Sequence, residues 1–168
     1  FRLVPLLALA AAAAAIGAAQ AAASDSPVTV SFVEPDRFAD AGDRLVDEPR
    51  NLKTLEAWFK TVGQRHLASG QTLRIEVTDV DLAGHMKPGR MLNDLRVVSG
   101  QADWPSIQLR YVLEAGGQTL SSGEERLSDL NYLGYAGRLQ PHDPLRYEKK
   151  MIEDWFKARF GPDAAAAR

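Results

Sequence analysis

Residues 106–124, Ser-Ile-Gln-Leu-Arg-Tyr-Val-Leu-Glu-Ala-Gly-Gly-Gln-Thr-Leu-Ser-Ser-Gly-Glu, contain the clearest structural pattern of the chain. From Ile107 to Leu113 every second residue is apolar, which is typical of a β-strand with one buried face. Gly116-Gly117 then supplies the positive φ angles that a tight hairpin turn requires. The more polar residues 118–124 return as a second strand, and their polarity predicts that this strand lies at the edge of a sheet.

Two longer strands are predicted upstream of this hairpin. Residues 28–33 and 71–77 alternate apolar and polar side chains. Beyond residue 77 the apolar positions change parity, and Val80 and Leu82 take over the apolar role. Two carboxylates facing a core would be costly, so we predict a bulge or bend near Thr78-Asp79.

Shorter segments connect these elements. Residues 95–98 are predicted to form a short strand after a loop at residues 84–89. Residues 128–146 are rich in Tyr, Leu, Gly and Pro and form a connection that is long for a compact domain. Long connections of this kind often carry binding sites.

Two amphipathic helices are also predicted. The first has Pro49 in its first turn, ends near Ser69-Gly70, and repeats apolar residues at helical spacing: Leu52, Leu55, Phe59 and Val62. The second runs from about residue 145 to residue 160 and carries one broad apolar stripe: Tyr147, Met151, Ile152, Trp155, Phe156 and Phe160.

This order of elements predicts one α+β domain over residues 24–163. We expect a mixed or antiparallel sheet of about 4–5 strands with two helices packed on one face. Residues 164–168 are predicted to be a disordered tail.

The first residues have the pattern of a secretory signal peptide. Arg2 precedes an apolar, alanine-rich run over residues 3–19, and small residues follow it. We therefore predict a signal peptide over residues 1–23 that is cleaved after Ala21 or Ala23. Export to the periplasm follows from this prediction, without a permanent membrane anchor.

Composition excludes several classes of function. The formal net charge is −2 and the chain has no cysteine, so thiolate nucleophiles and cysteine-based metal sites are ruled out. Arg74, Arg96 and Arg110 lie on predicted strands, but Glu76 and Glu114 neutralise them, so we expect no nucleic-acid partner. Because no glycine-rich phosphate loop and no Gly-x-Ser-x-Gly motif is present, we expect no cofactor and lean against an enzyme.

The chain resembles a bacterial family called domain of unknown function 3016. The resemblance is carried by motifs spread over residues 28–160: Val30–Pro35, Thr78–Gly84, Pro88–Arg90, Leu95–Val98, Trp104–Ile107, Tyr147–Lys149 and Asp154–Phe156. It implies a small exported protein of Gram-negative bacteria. It implies no activity, cofactor or catalytic residue.

Asp79, Asp81 and His85 form the most chemically suggestive group. Two carboxylates and an imidazole at this spacing could hold a divalent cation or a catalytic water. The competing interpretation is that both carboxylates cap a bend by accepting hydrogen bonds from loop amides, while His85 is a solvated loop residue.

The candidate binding residues are Asp79, Asp81, Arg90, Trp104, Tyr132 and Tyr135. Trp104 could plug the end of the sheet or stay exposed as a binding anchor. The leading hypothesis is a non-enzymatic envelope module that binds a protein or a small molecule through residues 128–146 and the polar edge at residues 118–124. The alternative is a metal-dependent or carboxylate-based hydrolase centred on Asp79 and Asp81.

Overall fold

The computed structural model describes residues 26–43, 45–87, 95–100 and 102–161. The predicted signal peptide, the predicted tail at residues 164–168 and the candidate binding residue Arg90 lie outside the described residues. Within them, neither α-helix is long and apolar enough to cross a membrane.

Six β-strands are present in the described residues. They are β1 (Val28–Phe32), β2 (Gln71–Asp81), β3 (His85–Lys87), β4 (Leu95–Val97), β5 (Ser106–Ala115) and β6 (Gln118–Ser128). Four of them form the main sheet in the order β1-β2-β5-β6, and β3 and β4 form a separate two-stranded sheet. Because β1 is parallel to β2 while the other pairs are antiparallel, the main sheet is mixed.

The described residues contain two α-helices, α1 (Asp47–His66) and α2 (Arg146–Phe160). They also contain 3-10 helices at Pro35–Arg37 and Tyr132–Arg138. The buried residues of the helices and of alternate strand positions form one core, which includes Leu55, Phe59, Phe156, Ile75, Leu109 and Tyr111. The α+β prediction is therefore confirmed.

The predicted irregularity in β2 is confirmed. Val77 pairs with Leu109 and Asp79 pairs with Gln108, so the register shifts between Val77 and Asp79. Val77 and Val80 are both fully buried. The extra residue therefore returns the apolar positions to the core face and keeps the two carboxylates off it.

The face of the main sheet that points away from the core carries charged side chains, and these pair with one another. Arg74 pairs with Glu114 at 3.2 Å and Arg110 pairs with Glu124 at 3.1 Å. Arg96 lies on β4 and not on this sheet. The arginines therefore form no basic stripe.

The loop predicted at residues 84–89 is wrong over His85–Lys87, which forms β3. These three residues pair antiparallel with Leu95–Val97 of β4. A strand of three residues is too short to show an alternating pattern, so the sequence did not predict it. The edge strand also continues beyond residue 124 to Ser128, because Glu125 and Leu127 keep pairing with β5.

The first helix begins before Pro49 because Asp43 binds its first turn. The Asp43 carboxylate accepts hydrogen bonds from the amides of Leu45 and Val46. Its carbonyl accepts further bonds from the amides of Asp47 and Glu48. These bonds satisfy amides that would otherwise have no partner at a helix N-terminus.

Gly63 lets α1 pack directly against Val28 of β1. A Cβ atom at this position would lie 2.2 Å from Cγ2 of Val28 and 3.4 Å from the ring of Phe156. Any larger residue must displace the rigid, β-branched valine side chain.

We expect Gly63→Ala to destabilise the protein by about 1–3 kcal/mol because it overpacks this contact. In a Val28→Ala background the clash disappears, and the higher helix propensity of alanine should make the same change stabilising by up to about 1 kcal/mol. Urea unfolding of the four proteins in this double-mutant cycle measures the coupling. Additive effects would contradict the proposed close contact.

Candidate functional site

Arg96 holds the turn that follows β2. Its guanidinium donates hydrogen bonds to the carbonyls of Ala83 and Gly84, each at 3.3 Å. It also pairs with the carboxylate of Asp40 at 2.8 Å. Gly84 has φ +82°, and a Cβ there would lie 2.6 Å from the carbonyl oxygen of Val97. Two residues of β4, Arg96 and Val97, therefore contact this turn.

Glu148 binds the same turn from the opposite side. Its Oε1 accepts a hydrogen bond of 2.7 Å from the amide of Ala83, and its side chain is almost fully buried at the start of α2. Burial raises the pKa of Glu148, although the Ala83 amide and Arg96 oppose the rise. Its Oε2 has no hydrogen-bond partner in the described residues. Glu148 thus joins α2 to the end of β2.

Asp103 and Tyr132 form a second polar contact near this turn. The Tyr132 hydroxyl donates to Asp103 at 2.6 Å, and the amide and hydroxyl of Ser99 donate at 2.6 and 2.8 Å. Burial alone would raise the pKa of Asp103, but these three donors outweigh it and lower the pKa to about 2. Burial and the Asp103 hydrogen bond raise the pKa of Tyr132 to about 12.

His85 faces Asp103. Its Nδ1 lies 3.9 Å from the Asp103 carboxylate, and its side chain is 46% exposed. No group of three or more His, Asp or Glu side chains in the described part of the chain is arranged to hold a metal ion. The candidate ligands Asp79, Asp81 and His85 are therefore not brought together there.

Asp79 and Asp81 lie beside the segment that precedes α1. Asp79 accepts a hydrogen bond of 2.8 Å from the amide of Ala39, which is the kind of contact that the capping interpretation predicts. The backbone of Asp81 forms an isolated parallel β-bridge with the backbone of Asp40. Partial burial raises the pKa of Asp81, and the neighbouring carboxylates of Asp40 and Asp79 raise it further.

The aromatic candidates have two different environments. Trp104 is partly buried and packs with Tyr132 and Tyr147 in a small second cluster, so it resembles a plug more than a free anchor. Tyr135 is partly buried, and its hydroxyl is buried without a hydrogen-bond partner in the described residues. The ammonium group of Lys150 lies 5.0 Å from the centre of the Tyr135 ring.

A groove of about 450 Å³ lies between the end of β6 and α2 and includes Tyr135. We call it the β6 groove, and its lining is Glu125–Asp129, Asn131, Tyr135, Met151, Asp154, Trp155 and Ala158. An apolar floor with a few polar groups is typical of ligand sites. Sequence reasoning named Tyr135 as a candidate and included Ser128, Asp129 and Asn131 only as part of the long connection at residues 128–146; it gave no sign that α2 lies beside them.

A second cleft, of about 510 Å³, includes Asp79. Its charged groups already have partners: Glu34 pairs with Arg37 at 2.9 Å and Arg110 pairs with Glu124. Since Asp79 itself bonds the Ala39 amide, this cleft has fewer free polar groups than its lining suggests. The β6 groove is therefore the stronger candidate site.

These features define a small α+β protein with a groove at one edge of a mixed sheet. The chain belongs to the family described as protein of unknown function (DUF3016), whose model matches residues 26–158. Comparison with the curated proteins and with the solved structures finds no match. Several of the motifs that carry the resemblance meet at the turn held by Arg96 and Glu148, and Asp154 and Trp155 line the β6 groove.

We expect Tyr132→Phe to lower the free energy of unfolding by about 1–3 kcal/mol at pH 7, because a buried carboxylate loses a donor. The lowered pKa of Asp103 stabilises the folded state at pH values above 3.8, the ordinary pKa of an aspartate. This stabilisation is lost as the pH falls towards 2. The loss caused by Tyr132→Phe should therefore shrink at pH 2 to 3.

Urea unfolding at both pH values provides the measurement. Tyr147→Phe is the matched control. The Tyr147 hydroxyl accepts a hydrogen bond from Arg146 and, in the described residues, donates none to a carboxylate. Its effect should not show this dependence on acid. An equal loss for Tyr132→Phe at both pH values would show that the hydroxyl does not stabilise the ionised carboxylate.

Proposed function

We propose that this protein is an exported, non-enzymatic binding module that binds an extended segment of a partner protein along β6. The observation that carries the proposal is the long edge strand with the β6 groove directly beside it. Addition of a strand to a sheet edge is a common mode of peptide recognition, in which backbone hydrogen bonds provide affinity and pockets for alternate side chains provide specificity.

The free edge of β6 supports strand addition. In the described residues β6 has β5 as its only strand partner, and it is 11 residues long, against 5 for the opposite edge strand β1. Edge strands are usually protected by charged residues, proline or shortness. Residues 118–123 contain no charge and no proline, and Leu120 is 48% exposed on this strand.

The position of the β6 groove also supports this mode. It is lined by the consecutive residues Glu125 to Ser128. Side chains of consecutive strand residues point to opposite faces, so a strand added beside β6 would direct every second side chain towards the face that carries the groove. Leu130, 70% exposed, and Leu133, 40% exposed, follow β6 in the chain and add apolar surface.

Nothing in the described geometry favours the hydrolase alternative. Asp79 bonds a loop amide, and His85 faces Asp103. A nucleophilic serine needs its hydroxyl hydrogen-bonded to a base such as histidine. The Ser99 hydroxyl instead donates to Asp103. The binding hypothesis therefore uses the site with the larger apolar surface and the free backbone edge.

The proposal of export rests on residues 1–23. We expect the protein to be released with the periplasmic fraction after osmotic shock, and its N-terminus to begin at Ala22 or Ser24. Fractionation followed by N-terminal sequencing and intact mass measurement tests this. An uncleaved chain in the membrane or cytosolic fraction would contradict export.

Strand addition is tested with a display library of random peptides of about 12 residues, selected on the purified protein. Enriched peptides should slow hydrogen exchange of amides in β6, because the added strand occupies its free edge. We expect Ser122→Lys, an exposed charge placed on this edge, to weaken their binding severalfold. Thr29→Lys on the opposite edge strand β1 is the matched control and should bind them normally.

The proposal fails if no peptide is enriched, or if enriched peptides protect amides elsewhere and leave β6 unchanged. Equal binding by the Ser122→Lys and Thr29→Lys variants would also contradict it. Thermal unfolding of both variants shows whether either substitution acts by lowering stability.

A further inference from the structure

The charges of β6 are confined to one half of the strand. Residues 118–123 are uncharged, and the three charged residues Glu124, Glu125 and Arg126 follow them directly. An antiparallel strand of the same sequence would therefore lay its uncharged half against the charged half of β6. Because like charges directly opposite each other destabilise a strand pair, this distribution suits β6 to pair with a second copy of itself.

Two-fold symmetry limits the registers that such a pair can adopt. Directly opposite residues of an antiparallel pair lie on the same face of the sheet, so one residue of β6 must lie opposite itself on the symmetry axis. An axis at any of the three charged residues would place a charge against its own copy. An axis at Gly123 avoids this and pairs all 11 residues of the strand. In this register Ser122 lies opposite Glu124 of the second copy, and Ser121 lies opposite its Glu125.

The edge of β6 is regular where this pairing is centred. Ser121 to Ser128 pair with β5 without a shift, and the register shift of this hairpin lies at Leu120. Bulges on an edge strand hinder the addition of a further strand, and the stretch from Ser121 to Ser128 contains none. Ser122 and Glu124, which would face each other across the pair, are both exposed.

Pairing through β6 also gives a closed assembly. It joins two four-stranded sheets into one continuous sheet and leaves the short strand β1, of 5 residues, at both outer edges. A contact that uses the same surface on both copies is complete at the dimer and does not grow into a fibre. The dimer would therefore protect the long free edge, which is otherwise a site for unwanted strand pairing.

We propose that β6 pairs antiparallel with β6 of a second copy about an axis at Gly123, and that this dimer covers the binding edge until a partner segment displaces it. The inference rests on the proposed function, because both use the same backbone edge, and it adds a means of regulation. Since a second copy and a partner segment cannot occupy the edge together, self-pairing and partner binding compete.

Sedimentation velocity of the purified protein tests the competition. We expect a dimer to form as the protein concentration rises. The outward-facing amides of β6 should exchange hydrogen more slowly as the dimer forms, while the amides of β1 keep their rate. The peptides enriched on the protein should convert the dimer into peptide-bound monomer.

The charge pattern is tested with Ser122→Glu, which places a carboxylate opposite Glu124 of the second copy. It should raise the dissociation constant of the dimer about tenfold, because the symmetry puts two such repulsions in each interface. Adding Glu124→Gln should restore the dimer. Glu114→Gln is the matched control: it removes the same charge from the same sheet face, on β5, and should restore nothing. Thermal unfolding shows whether all variants are folded.

The register is tested by disulfide formation, since the chain contains no cysteine of its own. Opposite residues of antiparallel strands lie within the Cα distance that a disulfide spans. An oxidised mixture of Ser122→Cys and Glu124→Cys proteins should therefore yield mostly dimers that link one chain of each kind. Disulfides that join two Ser122→Cys chains instead would contradict an axis at Gly123.

The outcomes separate this inference from the proposed function. If the protein stays monomeric at every concentration while peptides protect β6, self-pairing is wrong and strand addition stands. If the dimer forms and protects β6 but no peptide binds, the proposed function is wrong and self-pairing stands. If the dimer persists with peptide bound along β6, or if Glu124→Gln fails to restore the dimer of Ser122→Glu, the two copies do not meet through β6 as proposed.

Discussion

A register shift between Val77 and Asp79 changes which side chains of β2 face the core. A regular strand would point Asp79 and Asp81 into the core, where burying two carboxylates costs far more than one irregular residue in a sheet. With the shift, Val80 and Leu82 continue the core, and the strand leads into the turn at Ala83-Gly84. That turn is where β4 and α2 meet the main sheet.

Polar contacts around this turn bring together family motifs that lie far apart in the sequence. Arg96 from β4 and Glu148 from α2 bind the same short segment, one through its carbonyls and the other through an amide. Removing the Glu148 carboxyl would leave the buried Ala83 amide without its hydrogen-bond partner, which is destabilising. The arrangement therefore gives these motif residues a structural role.

The β6 groove arises from the composition of β6 and not from the turn at Ala83-Gly84. Tyr111 of β5 packs over Gly123, where a Cβ would lie 3.1 Å from its ring. Trp155 of α2 donates its indole N–H to Glu125 of β6. Because small and polar residues replace a continuous apolar face on β6, α2 cannot seal this edge of the sheet as tightly as α1 seals the other. The groove follows from the polarity of β6, and the free backbone edge follows from its terminal place in the strand order.

The sequence by itself determined the elements whose signal is local: the 107–113 strand and its hairpin, both amphipathic helices, the irregularity after Val77 and the α+β class. Each follows from periodicity or from the cost of burying charge within one segment. The β3–β4 pair, the partners of Arg96 and Glu148, and the groove that brings Tyr135 to Asp129 and Trp155 were decided only by the tertiary structure. They depend on contacts between separate elements, up to 65 positions apart for Ala83 and Glu148, and no local pattern records which partner a side chain will meet.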